Sequence, residues 1–142
     1  MATSPDRSLW DQRLSRYRAL NAIFQASKAF GPFYDAKEAL AWAEIDAKEK
    51  YGTLARAQHA NDPALQEAYA ANDEENNRLL EKHDNPAFEA AVLLVQTPAP
   101  DLSAVEYKLG VIQAHELHLY PHLPNPFELV EADALAFLRE AA

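Results

Sequence analysis

The chain has 142 residues and a net charge of −9, which predicts a single acidic domain spanning 1–142. Apolar residues make up 49% of the chain, but 28 positions are alanine, so the core must contain many small side chains. With three glycines and no cysteine, the composition excludes a turn-rich all-β fold, disulfides, thiolate zinc sites and thiol nucleophiles.

The distribution of apolar residues along the chain predicts neither a secretory signal nor a membrane-spanning helix. The first residues contain no apolar stretch typical of a secretory signal. The longest unbroken apolar run, residues 90–95, is far shorter than the roughly 20 residues that a membrane-spanning helix needs. We therefore expect no membrane partner, and a cytoplasmic location is the default expectation.

Serine, aspartate or asparagine followed by proline occurs four times along the chain. A small polar residue precedes proline at Ser4-Pro5, Asp62-Pro63, Asn85-Pro86 and Asn125-Pro126. Proline suits the first helical position, and the polar side chain before it accepts a hydrogen bond from a free amide of the first turn. Each dipeptide therefore predicts a helix start. Asp35 with Glu38 predicts a similar start without proline.

The first predicted helix spans residues 5–30 and ends at Gly31-Pro32. Its apolar stripe consists of Trp10, Leu14, Tyr17, Leu20 and Phe24. A second helix is predicted over residues 36–51 with Gly52 as its C-cap, or continuing to His59. Its apolar positions are Leu40, Trp42, Ala43, Ala47 and Tyr51.

A third helix is predicted over residues 63–82. Residues 72–77 are polar and acidic, so the helix either breaks there or continues through them. The fourth, over 86–96, is the most apolar. Residues 97–100 contain two prolines and must be extended. Asp101 or Ser103 then caps a fifth helix, which ends near Pro121.

The last helix, over residues 126–139, is expected to bury Phe127, Leu129 or Val130, Ala134, Leu135 and Leu138. These elements together predict an all-α fold. We expect an irregular antiparallel bundle of five to six helices, with the long N-terminal helix as its spine.

Residues 115–122 contain the one cluster of metal-ligand side chains. On a continuous helix, His115 and His118 share a face and could hold Zn²⁺ or Fe²⁺, with His122 or a distant carboxylate as third ligand. A metal-dependent enzyme is therefore one alternative. The competing interpretation places these histidines at a helix C-terminus, where they interact with the helix dipole.

Two charged groups are candidates for partner binding. Arg13 and Arg16 lie in a locally basic first helix, where they contact an acidic partner, a phosphate backbone or acidic helices of the same molecule. Asp73, Glu74 and Glu75 either form a solvated face or mimic a nucleic acid and inhibit a basic partner. The overall negative charge disfavours nucleic-acid binding.

Thr97-Pro98-Ala99-Pro100-Asp101-Leu102, followed by Lys108-Leu109, resembles a hinge of small uncharacterised all-helical bacterial proteins, some of them phage-derived. The resemblance covers residues 86–110 and implies an all-α fold with an accessory role in a mobile element. It supplies no catalytic residues.

Phosphate loops, nucleophile elbows and helix-borne zinc motifs are absent from the sequence, so we expect no cofactor. The chain is therefore predicted to be a non-catalytic protein–protein interaction module with an accessory, regulatory or inhibitory role. Its partner is a protein, and self-association into a homo-oligomer is a further expectation. The alternatives are the metal-dependent enzyme and the acidic nucleic-acid mimic.

Overall fold

The computed structural model describes residues 6–141, and the predicted helix start at Ser4-Pro5 lies outside this range. The described α-helices are α1 (Arg7–Phe30), α2 (Pro32–Tyr51), α3 (Leu54–His59), α4 (Pro63–Leu79), α5 (Asn85–Gln96), α6 (Leu102–His115) and α7 (Pro126–Ala141). A π-helical turn spans Leu80–Asp84 and a 3₁₀ turn spans Leu117–Leu119. The predicted all-α fold with a long N-terminal helix is confirmed. In the described part of the chain, no helix combines the length and apolar character needed to cross a bilayer.

The chain divides into two compact units. The terminal unit contains the chain up to Leu20 and again from Pro86 onward, and the central unit is Asn21–Asn85. Each unit has its own cluster of buried apolar side chains. The prediction of a single domain over 1–142 stays a prediction.

In the terminal unit, the first part of α1 packs with α5, α6 and α7. The buried members of its core are Trp10, Tyr17, Ala90, Ala91, Leu94, Val95, Ala99, Ala104, Val105, Val111, Ile112 and Leu117. Arg7 pairs with Asp101, while the hydroxyl of Tyr17 lies 2.8 Å from Nε2 of His115. In these two contacts the residue number rises along α1 and along the second segment together, so α1 and α6 run in the same direction.

The central unit is a helical hairpin with a small core. Glu44 accepts a hydrogen bond from the Tyr69 hydroxyl at 3.2 Å, and Lys50 pairs with Asp62 at 3.4 Å, so α2 and α4 are antiparallel. The core contains the buried residues Ala47, Ala57 and Leu65, with the partly buried residues Leu40, Ala43, Tyr51, Leu54 and Tyr69 around them. Alanine lets these helices approach closely but buries little apolar area per residue.

Glycine ends two helices as predicted. α1 stops at Phe30, before Gly31, and α2 ends where Gly52 adopts a left-handed conformation with φ of 87°. Its amide donates to the Lys48 carbonyl at 2.7 Å. The predicted extension through His59 as one helix is wrong, because Thr53 accepts a hydrogen bond from the Arg56 amide and starts α3.

Two of the predicted helix starts are wrong. α2 begins at Pro32, so Asp35 lies inside its first turn and does not cap it with Glu38. Asn85 is helical, with φ −57° and ψ −46°, and its amide donates to the Leu80 carbonyl five residues earlier. This π-helical spacing leads from α4 into α5 without the N-cap that the dipeptide predicted. A π turn is one way to place a proline such as Pro86, which lacks an amide hydrogen, in a continuous helix.

Three other starts are confirmed, one of them at Pro126, where Asn125 accepts a hydrogen bond from the Phe127 amide at 3.0 Å as α7 begins. Asp62 caps α4 by accepting a hydrogen bond from the Leu65 amide at 3.1 Å. Asp101, rather than Ser103, caps α6 by accepting from the Ala104 amide at 2.8 Å. The run 72–77 lies within unbroken helix, so the break left open there is absent.

The Asp62 cap predicts a specific acid sensitivity. The hydrogen bond from the Leu65 amide is the main cause that lowers the pKa of Asp62, and Lys50 lowers it further. A carboxylate with a lowered folded-state pKa stabilises the fold fully above its unfolded pKa of about 4, and this contribution is lost as the pH falls through the folded value. Asp62→Asn keeps a capping oxygen but cannot titrate.

We therefore expect Asp62→Asn to flatten the loss of melting temperature between about pH 5 and pH 2 relative to the parent chain. Circular dichroism melts across that range measure the slope. Asp73→Asn, at an exposed position of α4, is the matched control and should leave the slope unchanged. Equal acid slopes for the parent and Asp62→Asn would contradict this origin of the acid sensitivity.

Candidate interaction surface

α7 is apolar on two faces. Leu129, Val130 and Phe137 are partly buried against the core of the terminal unit. Phe127 and Leu138, with exposed fractions of 69% and 65%, lie on the opposite side. The expectation that α7 buries Phe127, Leu135 and Leu138 is therefore wrong, and both Leu129 and Val130 face the core.

A buried ion pair fixes the rotation of α7. The Lys108 side chain is only 2% exposed and donates to the Asp133 carboxylate, which also accepts from the Ala99 amide at 3.3 Å. Nζ of Lys108 lies 5.8 Å from the Trp10 ring centroid, a cation–π distance. Residues three and four positions from Asp133 share its face, so Val130 must turn inward with it.

The outer face of α7 is defined by Phe127, Leu135 and Leu138. These residues lie at spacings of eight and three, so they follow one another along one side of the helix over about 16 Å. Leu135 is 41% exposed. Isolated exposed apolar residues are ordinary, but an aligned row that includes an aromatic ring is typical of a protein-binding surface.

The outer face also carries acidic side chains, and Glu131, four positions from both Phe127 and Leu135, lies between them on the same side of the helix. Glu128, Glu131 and Glu140 are exposed on α7, and Arg139 is the exposed basic residue of the same helix. The helix therefore adds a negative potential beside an apolar row. This combination favours partners that carry basic side chains around an apolar anchor.

A second exposed apolar row lies in the central unit. Tyr34, Trp42 and Ile45 project from one side of α2, and Trp42 is 60% exposed. Of the apolar positions predicted for the second helix, Leu40 and Ala43 pack against the core of the central unit, whereas Trp42 does not. The central unit therefore also presents an uncovered aromatic side chain.

The histidines do not form the predicted helical pair. α6 ends at His115, because Glu116 adopts a left-handed conformation with φ of 52° and a 3₁₀ turn follows. His118 consequently does not lie one turn along the same helix from His115. His122 contacts the Tyr120 ring edge-on, with centroids 5.9 Å apart. Among the described residues, no group of three His, Cys, Asp or Glu side chains could hold a metal ion.

The predicted basic candidates have different environments. Arg13 donates to the Thr97 hydroxyl at 2.8 Å, and Thr97 in turn donates to the Leu93 carbonyl at 2.7 Å. Arg13 therefore holds the proline hinge within the terminal unit. Arg16 is exposed.

The acidic candidates are partly engaged. Arg78 donates to Glu74 at 3.0 Å and also pairs with Glu75 on the same helix. Asp73 is exposed. The local charge of this run is therefore reduced, which weakens its resemblance to a row of phosphates.

Comparison with family models, curated proteins and solved structures finds no match for the chain. The assignment of function thus depends on the chain's own side chains and their surroundings. Lys108 was not identified from the sequence as a buried residue that pairs with a carboxylate. A lysine between Val105 and Ile112 on the buried side of α6 was the available signal.

The two faces of α7 predict different responses to the same substitution. We expect Leu138→Ala to change the free energy of unfolding by less than about 0.5 kcal/mol, because the side chain is exposed. Leu129→Ala should cost about 2 kcal/mol, since Leu129 packs against the core. Urea denaturation of both variants measures the difference, and equal effects would show that the faces are assigned wrongly.

Proposed function

We propose that this chain is a non-catalytic protein–protein interaction module and that the outer face of α7 is its binding surface. The observation that carries the proposal is the row of Phe127, Leu135 and Leu138 on a helix whose opposite face already packs against the core. A helix that is apolar on two sides is typical of one with neighbours on both sides.

The composition of the surface supports a protein partner. Interfaces are enriched in aromatic anchors with polar side chains around them, and the exposed Phe127 has Glu128 and Glu131 beside it. The row suits a partner helix laid along α7, with apolar side chains at helical spacing.

Charge favours a basic partner over a second copy. The chain carries −9, and a second copy would bring the same acidic side chains toward Glu128 and Glu131. A partner with lysine or arginine beside its apolar anchors gains attraction to these carboxylates and faster association. The role is accessory, regulatory or inhibitory, and the hinge resemblance in residues 97–102 supports an accessory one.

The test compares two pairs of exposed residues in the same unit. Phe127→Ser with Leu138→Ser alters the outer face of α7, and Leu102→Ser with Leu109→Ser alters exposed leucines of α6 as a matched control. Each purified chain is used for quantitative affinity capture from the cells of origin and for sedimentation analysis.

We expect a protein that binds the parent and the α6 control but is reduced at least about tenfold with the α7 variant. Equal melting temperatures for the three chains would show that folding is intact. The proposal fails if the parent captures nothing and is strictly monomeric, or if the α7 variant binds as well as the parent.

A further inference from the structure

A small open cavity lies within the central unit. Its volume is about 90 Å³, and it lies where the α1–α2 corner approaches the end of α4 and the π-helical turn. The lining residues are Ser27, Pro32, Phe33, Glu75, Arg78, Leu79, Lys82 and His83. The spacing of three and four from Glu75 to His83 places one side of this helical segment on the cavity.

The cavity lining combines three basic residue types with one carboxylate. Three of its lining side chains are Arg, Lys and His, against the single carboxylate of Glu75. Arg78 pairs with that carboxylate and with Glu74, which hold the guanidinium in place. Across residues 6–141, neither Lys82 nor His83 has an ion-pair partner.

The backbone of this region is also unusual. Lys82 and His83 belong to the π-helical turn Leu80–Asp84, where the Asn85 amide reaches back to the Leu80 carbonyl. A π turn widens the helix and alters the direction of its side chains, and such turns are frequent at functional sites. Here the turn contains Lys82 and His83, the two basic lining residues with no ion pair to a described carboxylate.

We propose that this cavity binds a small oxyanion, the phosphate or carboxylate group of a ligand whose remainder extends into solvent. Lys82 would supply a positive charge, Lys82 and His83 would supply hydrogen-bond donors, and Arg78 has five donor hydrogens, more than its two carboxylates require. Phe33 and Leu79 provide an apolar wall for the atoms that carry the oxyanion.

The volume restricts the ligand. A volume of about 90 Å³ has room for a tetrahedral oxyanion or a short carboxylate. The cavity is open, so a larger molecule could present only its anionic end. This inference does not depend on the proposed role of α7.

The experiment is a titration followed by ¹H–¹⁵N spectra of the full chain. Sodium phosphate and sodium propionate are added separately at constant ionic strength, because exposed charges respond to salt alone. Lys82→Gln removes one basic group without breaking an ion pair. Lys48→Gln, at an exposed position of α2 outside the cavity, is the matched control.

We expect saturable shifts of the amides of Phe33, Leu79, Lys82 and His83. The dissociation constant should rise about tenfold in Lys82→Gln and stay unchanged in Lys48→Gln. Tighter binding of phosphate assigns the site to phosphoryl groups, and tighter binding of propionate assigns it to carboxylates. The proposal is overturned if neither anion saturates, or if both variants change the affinity equally.

Discussion

Asp133→Ala is expected to lower the free energy of unfolding of the terminal unit by about 3–5 kcal/mol, because it leaves the Lys108 charge buried without a partner. Lys108 is among the largest fully buried side chains, and Asp133 is its ion-pair partner. Asp133 also accepts a hydrogen bond from the Ala99 amide of the proline hinge, so one substitution removes two contacts of this carboxylate.

A double variant separates the effect of burying the Lys108 charge from the effect of its pairing with Asp133. Lys108→Met with Asp133→Leu replaces the ion pair by apolar side chains and should restore most of the stability, since buried pairs are often replaceable in this way. Glu131→Ala, at an exposed position of α7, is the control and should be nearly neutral.

Urea denaturation followed by Trp10 fluorescence measures these effects in the terminal unit. Trp42→Phe makes Trp10 the sole tryptophan, since the chain has two. A loss below about 1 kcal/mol for Asp133→Ala would contradict a buried, paired Lys108.

Leu65→Ala is expected to destabilise the central unit by about 2–5 kcal/mol. Leu65 has no exposed surface, and the other two fully buried members of this core are Ala47 and Ala57. The buried neighbours Ala47 and Ala57 are too small to fill the space left by Leu65, so a cavity term adds to the lost transfer free energy.

Trp42 fluorescence in a Trp10→Phe background reports on the central unit. Ile45→Ala, on the exposed side of α2, is the control and should change stability by less than about 0.5 kcal/mol. A Leu65→Ala effect as small as the control would mean that this unit does not depend on its one fully buried leucine.

Helix boundaries were predictable where the determining chemistry is local. Gly52 can adopt a positive φ without steric cost, and Asp62 and Asp101 each cap the next helix through their own carboxylates. These signals need only a few neighbouring residues. They correctly divided much of the chain and indicated the all-α fold.

Other boundaries depend on more distant structure. Asn85-Pro86 has the same local signature as Asp62-Pro63, yet a π turn joins α4 to α5 at that dipeptide. Glu116 takes a left-handed conformation that no glycine or proline announces. The alternative of a metal site at His115 and His118 assumed a helix that continues past Glu116, whereas α6 ends at His115.

The binding surface could be predicted only in part. α7 has two apolar rows that satisfy helical spacing equally well, one with Phe127 and Leu138 and the other with Leu129 and Phe137. Periodicity alone cannot choose between them. The choice follows from the pairing of Asp133 with Lys108, a contact across 25 positions of the chain.

Site-specific photo-crosslinking in the cells of origin tests most directly whether the outer face of α7 binds a protein. A photo-reactive phenylalanine analogue replaces Leu138, and the same analogue at Leu102 of α6 is the control. We predict a discrete adduct with another protein from position 138 and none from position 102. No adduct from position 138, or the same adducts from both positions, would contradict the assignment.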